Sequence, residues 1–261
     1  METDPFAQQN RVGLTTAYTP QFDDVVHNLQ VMFKSITPAM WTLIAGVCGL
    51  LGLAEIVQTA GIILFASVPV LSFVAAPVLN FLEFVVILIC GGVLFSLFAP
   101  LKLRMLGITQ GDQTIAELID AMKPVFLYSL GSYTILVFGT MIGSLFCIIP
   151  GFLAHGVLCL APYYSSQGTS PITAAQDSFE TAKNHIPLVA MATGILIFAG
   201  LFSFGFTLGV ASLLGGGTIQ LIISKVLAIL VQCAMFLLGW FAVGSVSLTI
   251  DTAQTGERVK A

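Results

Sequence analysis

Between Pro124 and Gln176, and again between Asn184 and Ser224, the chain carries no Asp, Glu, Lys or Arg. A water-facing surface cannot be built over such lengths, since ordinary soluble domains carry roughly 25% charged residues. Here 8% of the 261 residues are charged and 57% are hydrophobic. The mean hydropathy is +0.98. Each charge-free stretch exceeds the roughly 20 residues that a helix needs to cross a bilayer. Unpaired backbone groups are prohibitive in hydrocarbon, so these stretches are predicted to be helices and the fold class all-α.

The apolar runs give six predicted spans, 39–66, 78–101, 125–146, 149–165, 187–212 and 226–250. The stretch 39–77 also admits a short helix, a break near Glu55 and a re-entrant segment. Pro38, Pro69, Pro77, Pro124, Pro150, Pro171 and Pro187 fall at or near proposed ends, where a missing N–H is tolerated. With six spans, one side receives Arg11, Lys34, Lys102, Arg104, Lys123, Lys183, Arg258 and Lys260, and the other only Lys225. That asymmetry predicts both termini in the cytoplasm. The expected division is a tail at 1–20, one membrane domain at 21–250 and a second tail at 251–261. The opening Met1-Glu2-Thr3-Asp4 has no basic region leading into an apolar core, so the first apolar helix is expected to direct insertion.

Three times a short amphipathic segment ends near a proline and leads into a helical pair. The segments are 21–36, 112–122 and 172–186, giving repeat units of about 21–101, 112–165 and 172–250. Phe22, Val25, Val26, Leu29, Phe33 and Ile36 recur at helical spacing in the first, and Ile172, Ala175, Phe179, Ala182 and Ile186 in the third. Each segment is expected in the cytoplasmic interface, apolar stripe toward lipid or the bundle.

The run Ile149-Pro150-Gly151-Phe152, a short apolar helix, and then Ser170-Pro171-Ile172-Thr173-Ala174 with Ser178 and Lys183 form a recognisable pattern. It resembles bacterial multi-helix membrane proteins related to the membrane domain of glycerophosphodiester phosphodiesterases. The resemblance is sharp over about 40 residues, where Pro150, Gly151, Ser170, Pro171, Ile172, Ala174 and Ser178 occupy the matching places. It implies a multi-pass architecture in a bacterial inner membrane. It implies little about activity, because this chain holds no soluble phosphodiesterase domain.

Two carboxylates, Glu55 and Glu83, lie inside predicted spans. A charge at the bilayer centre costs about 2.5–3.5 kcal/mol on insertion scales, which makes each a functional candidate. Gln58 and Asn80 sit three residues away on the same helix faces. Depth counting puts His155 at a similar level, so Glu55, Gln58, Asn80, Glu83 and His155 form a candidate site for a proton or cation. The competing reading has Glu83 snorkelling, Glu55 protonated in the bundle and His155 satisfied by one neighbour. Gly205 and Gly209 have the spacing that lets helices approach, so they are expected to pack.

Few, scattered cations argue against a nucleic-acid partner. Cys48, Cys90, Cys147, Cys159 and Cys233 lie in apolar runs without CxxC spacing and read as packing residues. No metal spacing, cofactor motif or nucleophile constellation is present, so catalysis is not expected. Asp177, Glu180, Lys183 and His185 are the dense polar group a lipid-handling enzyme would need, and a solvated helix face explains them equally. The expected role is an accessory, scaffold or lipid-organising membrane component, in contact with lipid and with either another membrane protein or further copies of itself. The alternative is a small transporter or channel using Glu55, Glu83 and His155.

Overall fold

The computed structural model describes residues 19–65, 69–109, 111–213 and 218–255, with side chains described except at 69–72, 148, 199–208, 210–213 and 218–222. The described elements are all helices: α1 (Phe22–Ser35), α2 (Pro38–Phe65), α3 (Pro69–Ser96), α4 (Phe98–Met105), α5 (Ile115–Phe146), α6 (Ile148–Leu158), α7 (Ala161–Ser166), α8 (Pro171–Asn184), α9 (Ile186–Leu213) and α10 (Thr218–Thr255). Among the described residues four stretches are long and apolar enough to cross a membrane, Pro38–Phe65, Phe73–Met105, Ile115–Phe146 and Ile223–Thr255. The described apolar part of α9, Ile186–Phe198, is shorter. The all-helical, membrane-spanning class expected from the sequence therefore stands.

Large apolar side chains face outward along these helices. Phe73 is 83% exposed and Leu145 is 85% exposed. Contiguous apolar surface on this scale is unfavourable against water and neutral against lipid tails. The interior holds a second apolar set, among it Met32, Met40, Leu51, Leu94, Leu118 and Leu160. Aromatic rings close it: Trp240 stacks on Phe98 at 4.8 Å between centroids, and Phe98 meets Tyr163 edge-on at 5.5 Å.

The element boundaries differ from expectation at the prolines. α2 is continuous through Glu55, which removes the broken or re-entrant alternative. Pro77 and Pro124, expected at helix ends, lie inside α3 and α5. Membrane helices tolerate an interior proline because neighbouring groups re-satisfy the freed carbonyl. The start of α5 is set earlier, at Thr114. Its side chain accepts from the Glu117 N–H at 3.3 Å, and Glu117 Oε2 accepts from the Thr114 N–H at 2.7 Å. This capping box joins the second amphipathic segment and its span into one helix.

Other prolines interrupt the hydrogen-bond ladder. Pro100 cannot donate to the Ser96 carbonyl, and α3 passes into α4 at Leu97 with helical dihedrals retained. Pro162 likewise separates α7 from α6, so the stretch expected as a fourth span, 149–165, is two short helices. α8 begins as its sequence demands, with Ser170 Oγ accepting from the Thr173 N–H at 3.4 Å and Pro171 in the first turn.

α5 and α6 pack as a tight antiparallel pair around glycines. A Cβ on Gly143 would lie 2.8 Å from the Pro150 carbonyl oxygen and 3.0 Å from the Gly151 Cα, both backbone atoms unable to yield. Gly143→Leu is expected to lower stability by about 1–3 kcal/mol through overpacking. A Cβ on Gly46 would meet nothing within 4 Å. Gly46→Leu should therefore stay within about 0.5 kcal/mol of the parent. Unfolding of both variants in detergent checks the contrast, and equal effects would refute the close α5–α6 crossing.

Candidate functional site

Along the α2–α3 hairpin, residues face one another in antiparallel order. A Cβ on Gly61 would touch Leu79 at 2.5 Å, and Cys90 Sγ lies 3.9 Å from the Val47 carbonyl. Between them, Gln58 Nε2 donates to Asn80 Oδ1 at 2.6 Å. One turn further, the Glu55 and Glu83 carboxyl groups come within interaction range of each other. The four residues of the predicted cluster that belong to α2 and α3 thus come together.

α10 runs antiparallel to α2. Cys233 Sγ lies 3.6 Å from the Cys48 carbonyl, and Gly52 faces Ile229. The same register brings Lys225 Nζ to 2.6 Å from Glu55 Oε1. The Glu55 side chain is only 13% exposed and that of Lys225 is 39% exposed. Lys225, read in the sequence as the lone cation of its side, is therefore a member of the site. Two carboxyl groups this close favour a single proton held between them over two adjacent negative charges. With one ammonium present, the set is electrically neutral in that state, the state least costly within a bilayer. Beside the pair, a groove of about 220 Å³ opens between α2 and α3. Leu50, Leu53, Val57 and Leu82 line it, with Gln58 and Glu83 as its polar members.

His155 does not join them. On α6, its Nδ1 lies 3.5 Å from Thr140 Oγ1, and its ring borders a separate cavity of about 150 Å³ with Leu94, Tyr133, Leu136 and Trp240. No carboxylate lines that cavity. Depth along the membrane normal does not specify direction around it, and α6 projects elsewhere in the bundle.

A second polar constellation was not anticipated from the sequence. Lys102 Nζ on α4 lies 2.6 Å from Asp251 Oδ2 on α10, with the two side chains 7% and 17% exposed. The Tyr163 hydroxyl on α7 donates to the same Asp251 oxygen at 3.0 Å. Asn28 Nδ2 on α1 donates to Thr249 Oγ1 at 2.9 Å, and the Tyr164 hydroxyl donates to Thr181 Oγ1 on α8 at 3.0 Å. Asp251, expected in the tail at 251–261, is thus inside α10 and ties three helices together. The signal available was a Lys flanked by Leu101 and Leu103 together with an acid directly following the run Leu248-Thr249-Ile250.

The family-like motif builds a joint. A Cβ on Gly151 would strike Ser144 on α5, and a Cβ on Gly131 would lie 2.8 Å from the Pro171 ring. Ser178 Oγ donates to the Val157 carbonyl at 2.7 Å, and Ala174 is fully buried beside it. Ile172, the remaining apolar member, is 70% exposed. Lys183 and Glu180 on α8 pair at 3.4 Å on an exposed face. His185 closes α8, and its burial pushes the imidazole below the usual histidine value.

Gly205 falls among the residues whose side-chain surroundings are not described. A Cβ on Gly209 would meet nothing within 4 Å among the described residues. Among the described residues no three His, Cys, Asp or Glu side chains group to hold a metal ion. No family profile, curated protein or solved structure matches this chain.

Proposed function

We propose that the chain is a multi-pass protein of a bacterial inner membrane, with both termini cytoplasmic, acting without catalysis as a scaffold or lipid-organising component. The observation that carries this reading is the inverted amphipathicity of α8. α8 buries Ala174, Ser178, Thr181 and Ala182 and turns Ile172 and Phe179 outward. α1 buries Val25, Val31 and Met32 together with Asn28 and adds the exposed rings of Phe22 and Phe33 to the same boundary. A helix with small or polar residues inward and bulky apolar ones outward suits the boundary between headgroups and acyl chains.

Six crossings would be α2, α3 with α4, α5, α6 with α7, α9 and α10. The Asn28–Thr249 contact puts α1 at the C-terminal end of α10, which supports an even number. Lys34, Lys102 and Lys183 belong to α1, α4 and α8, which gather at that end, and the opposing Lys225 is offset by Glu55. The threefold repeat is supported by the first and third units, in which a separate helix precedes a proline-started pair. In the second unit lead helix and span are fused. The likeness to the phosphodiesterase-linked membrane domain rests on the joint built by Gly151, Pro171, Ala174 and Ser178.

Photoactivatable phospholipid in reconstituted vesicles tests the reading on the parent protein. Labelled peptides should include Phe22, Phe33, Ile172 and Phe179, and phospholipid should remain bound after purification in mild detergent. Labelling confined to the spanning helices would overturn it. The second reading, an ion-handling site, is favoured by one observation, the convergence of Glu55, Glu83 and Lys225.

A further inference from the structure

We propose that the α2–α3 groove binds an organic monocation with an apolar body, held by Glu83 in exchange for the proton shared with Glu55. The inference rests on reading Glu55, Glu83 and Lys225 as an ion site, and it names the ion. Charge comes first. Lys225 pairs with Glu55 at 2.6 Å, so one ammonium stands against two carboxyl groups and a proton makes up the balance. The groove wall supplies no second cation, because Glu83 is the only ionisable residue among its described lining. An arriving cation is therefore the charge complement of the site.

Shape and polarity select the rest of the ligand. The remaining wall is aliphatic apart from Gln58, whose amide is already bonded to Asn80. A hard inorganic ion would need several more oxygens than Glu83 and Gln58 offer. Leu50, Leu53, Val57 and Leu82 are each more than half exposed, so the groove opens sideways toward lipid rather than along the bundle axis. An amphiphilic amine or quaternary ammonium partitions into lipid and would enter there, its apolar body against the leucines.

The exchange balances. Proton-bound Glu55–Glu83 with Lys225 is neutral. Binding a monocation at Glu83 releases one proton to water and leaves the set neutral again. The other titratable groups on the flanking helices are Asp251, paired with Lys102 near the C-terminal end of α10, and the thiols of Cys48, Cys90 and Cys233, of which Cys90 and Cys233 point to backbone carbonyls. From α5, Phe138 meets Phe84, and the α5 segment from Thr134 to Phe146 contains no ionisable residue.

Calorimetry of the whole protein in nanodiscs of zwitterionic lipid, with hexyltrimethylammonium as probe and two buffers of different ionisation heat, tests this. The parent should bind one probe per chain, release about one proton, and bind more tightly as pH rises. Glu83→Gln should weaken binding by about 30-fold or more, the effect of losing one desolvated charge contact. Lys225→Gln removes the competing cation and should strengthen binding, a sign that a damaged fold would not produce. Absence of saturable binding to the parent, equal affinity in Glu83→Gln, or weaker binding in Lys225→Gln would overturn the proposal. Potentiometric titration separates it from the broader reading. If Glu83→Gln loses one titrating proton while the parent ignores the probe, the ion site stands and the organic cation is refuted. If neither changes, both fall.

Discussion

Asp251→Ala is expected to destabilise the protein by about 3–5 kcal/mol, the typical cost of stranding one member of a buried ion pair. Lys102 is 7% exposed at its side chain, and its ammonium has Asp251 as its ion partner at 2.6 Å. Removing the carboxylate leaves the charge without that partner and takes away the Asp251 oxygen to which the Tyr163 hydroxyl donates. The pair itself need not contribute that much, because desolvating both charges offsets most of their attraction. The double variant Lys102→Met, Asp251→Leu should therefore recover most of the loss. Tyr163→Phe should cost only about 1 kcal/mol, one hydrogen bond. Denaturant unfolding of the four proteins in detergent reads the cycle. Equal loss in the single and double variants would show that packing, not charge, holds α4, α7 and α10 together.

Trp240→Ala should cost about 3 kcal/mol or more. The indole is 2% exposed, stacks on Phe98 at 12° between planes, and donates to the Leu94 carbonyl at 2.7 Å. In a bilayer the transfer part of that loss shrinks, since an unpacked side chain would sit in lipid rather than water. The cavity and the lost ring contacts remain, and they dominate. Trp240→Phe keeps a ring in place and removes only the N–H, with an expected cost of about 0.6 kcal/mol for an interhelical bond in a membrane protein. Melting points measured by intrinsic fluorescence of the remaining Trp41, or by retention of the detergent-soluble form on heating, would rank the two. A larger effect for Phe than for Ala would contradict the stacked core.

The helical class was legible because it follows from where charges are missing, a property local to each run. So were the start of α8 at Ser170 and Pro171 and the meeting of Gln58 with Asn80, which need only spacing and a hairpin. Pro124 misled, since a proline marks a helix end only when nothing else satisfies the carbonyl it frees. The Thr114-x-x-Glu117 box was in plain view and points to the true start of α5. The carboxylate pair was found by counting depth, yet the same counting admitted His155 and missed Lys225. Depth fixes height, whereas partners depend on which way each helix is turned, and that is decided by contacts such as Gly52 against Ile229. Lys102 and Asp251 are far apart in the chain, and no local rule joins them.

The account depends on lipid tails being the solvent for α2, α3, α5 and α10. With the native cysteines replaced by alanine, single cysteines at Gln21, Phe65 and Thr255 can be probed by membrane-impermeant maleimide on sealed vesicles of one orientation. Gln21→Cys and Thr255→Cys should label from the same face, and Phe65→Cys, at the far end of α2, only from the other. Labelling of all three from one face, or release of the protein from vesicles by alkaline carbonate, would contradict the bilayer-spanning arrangement.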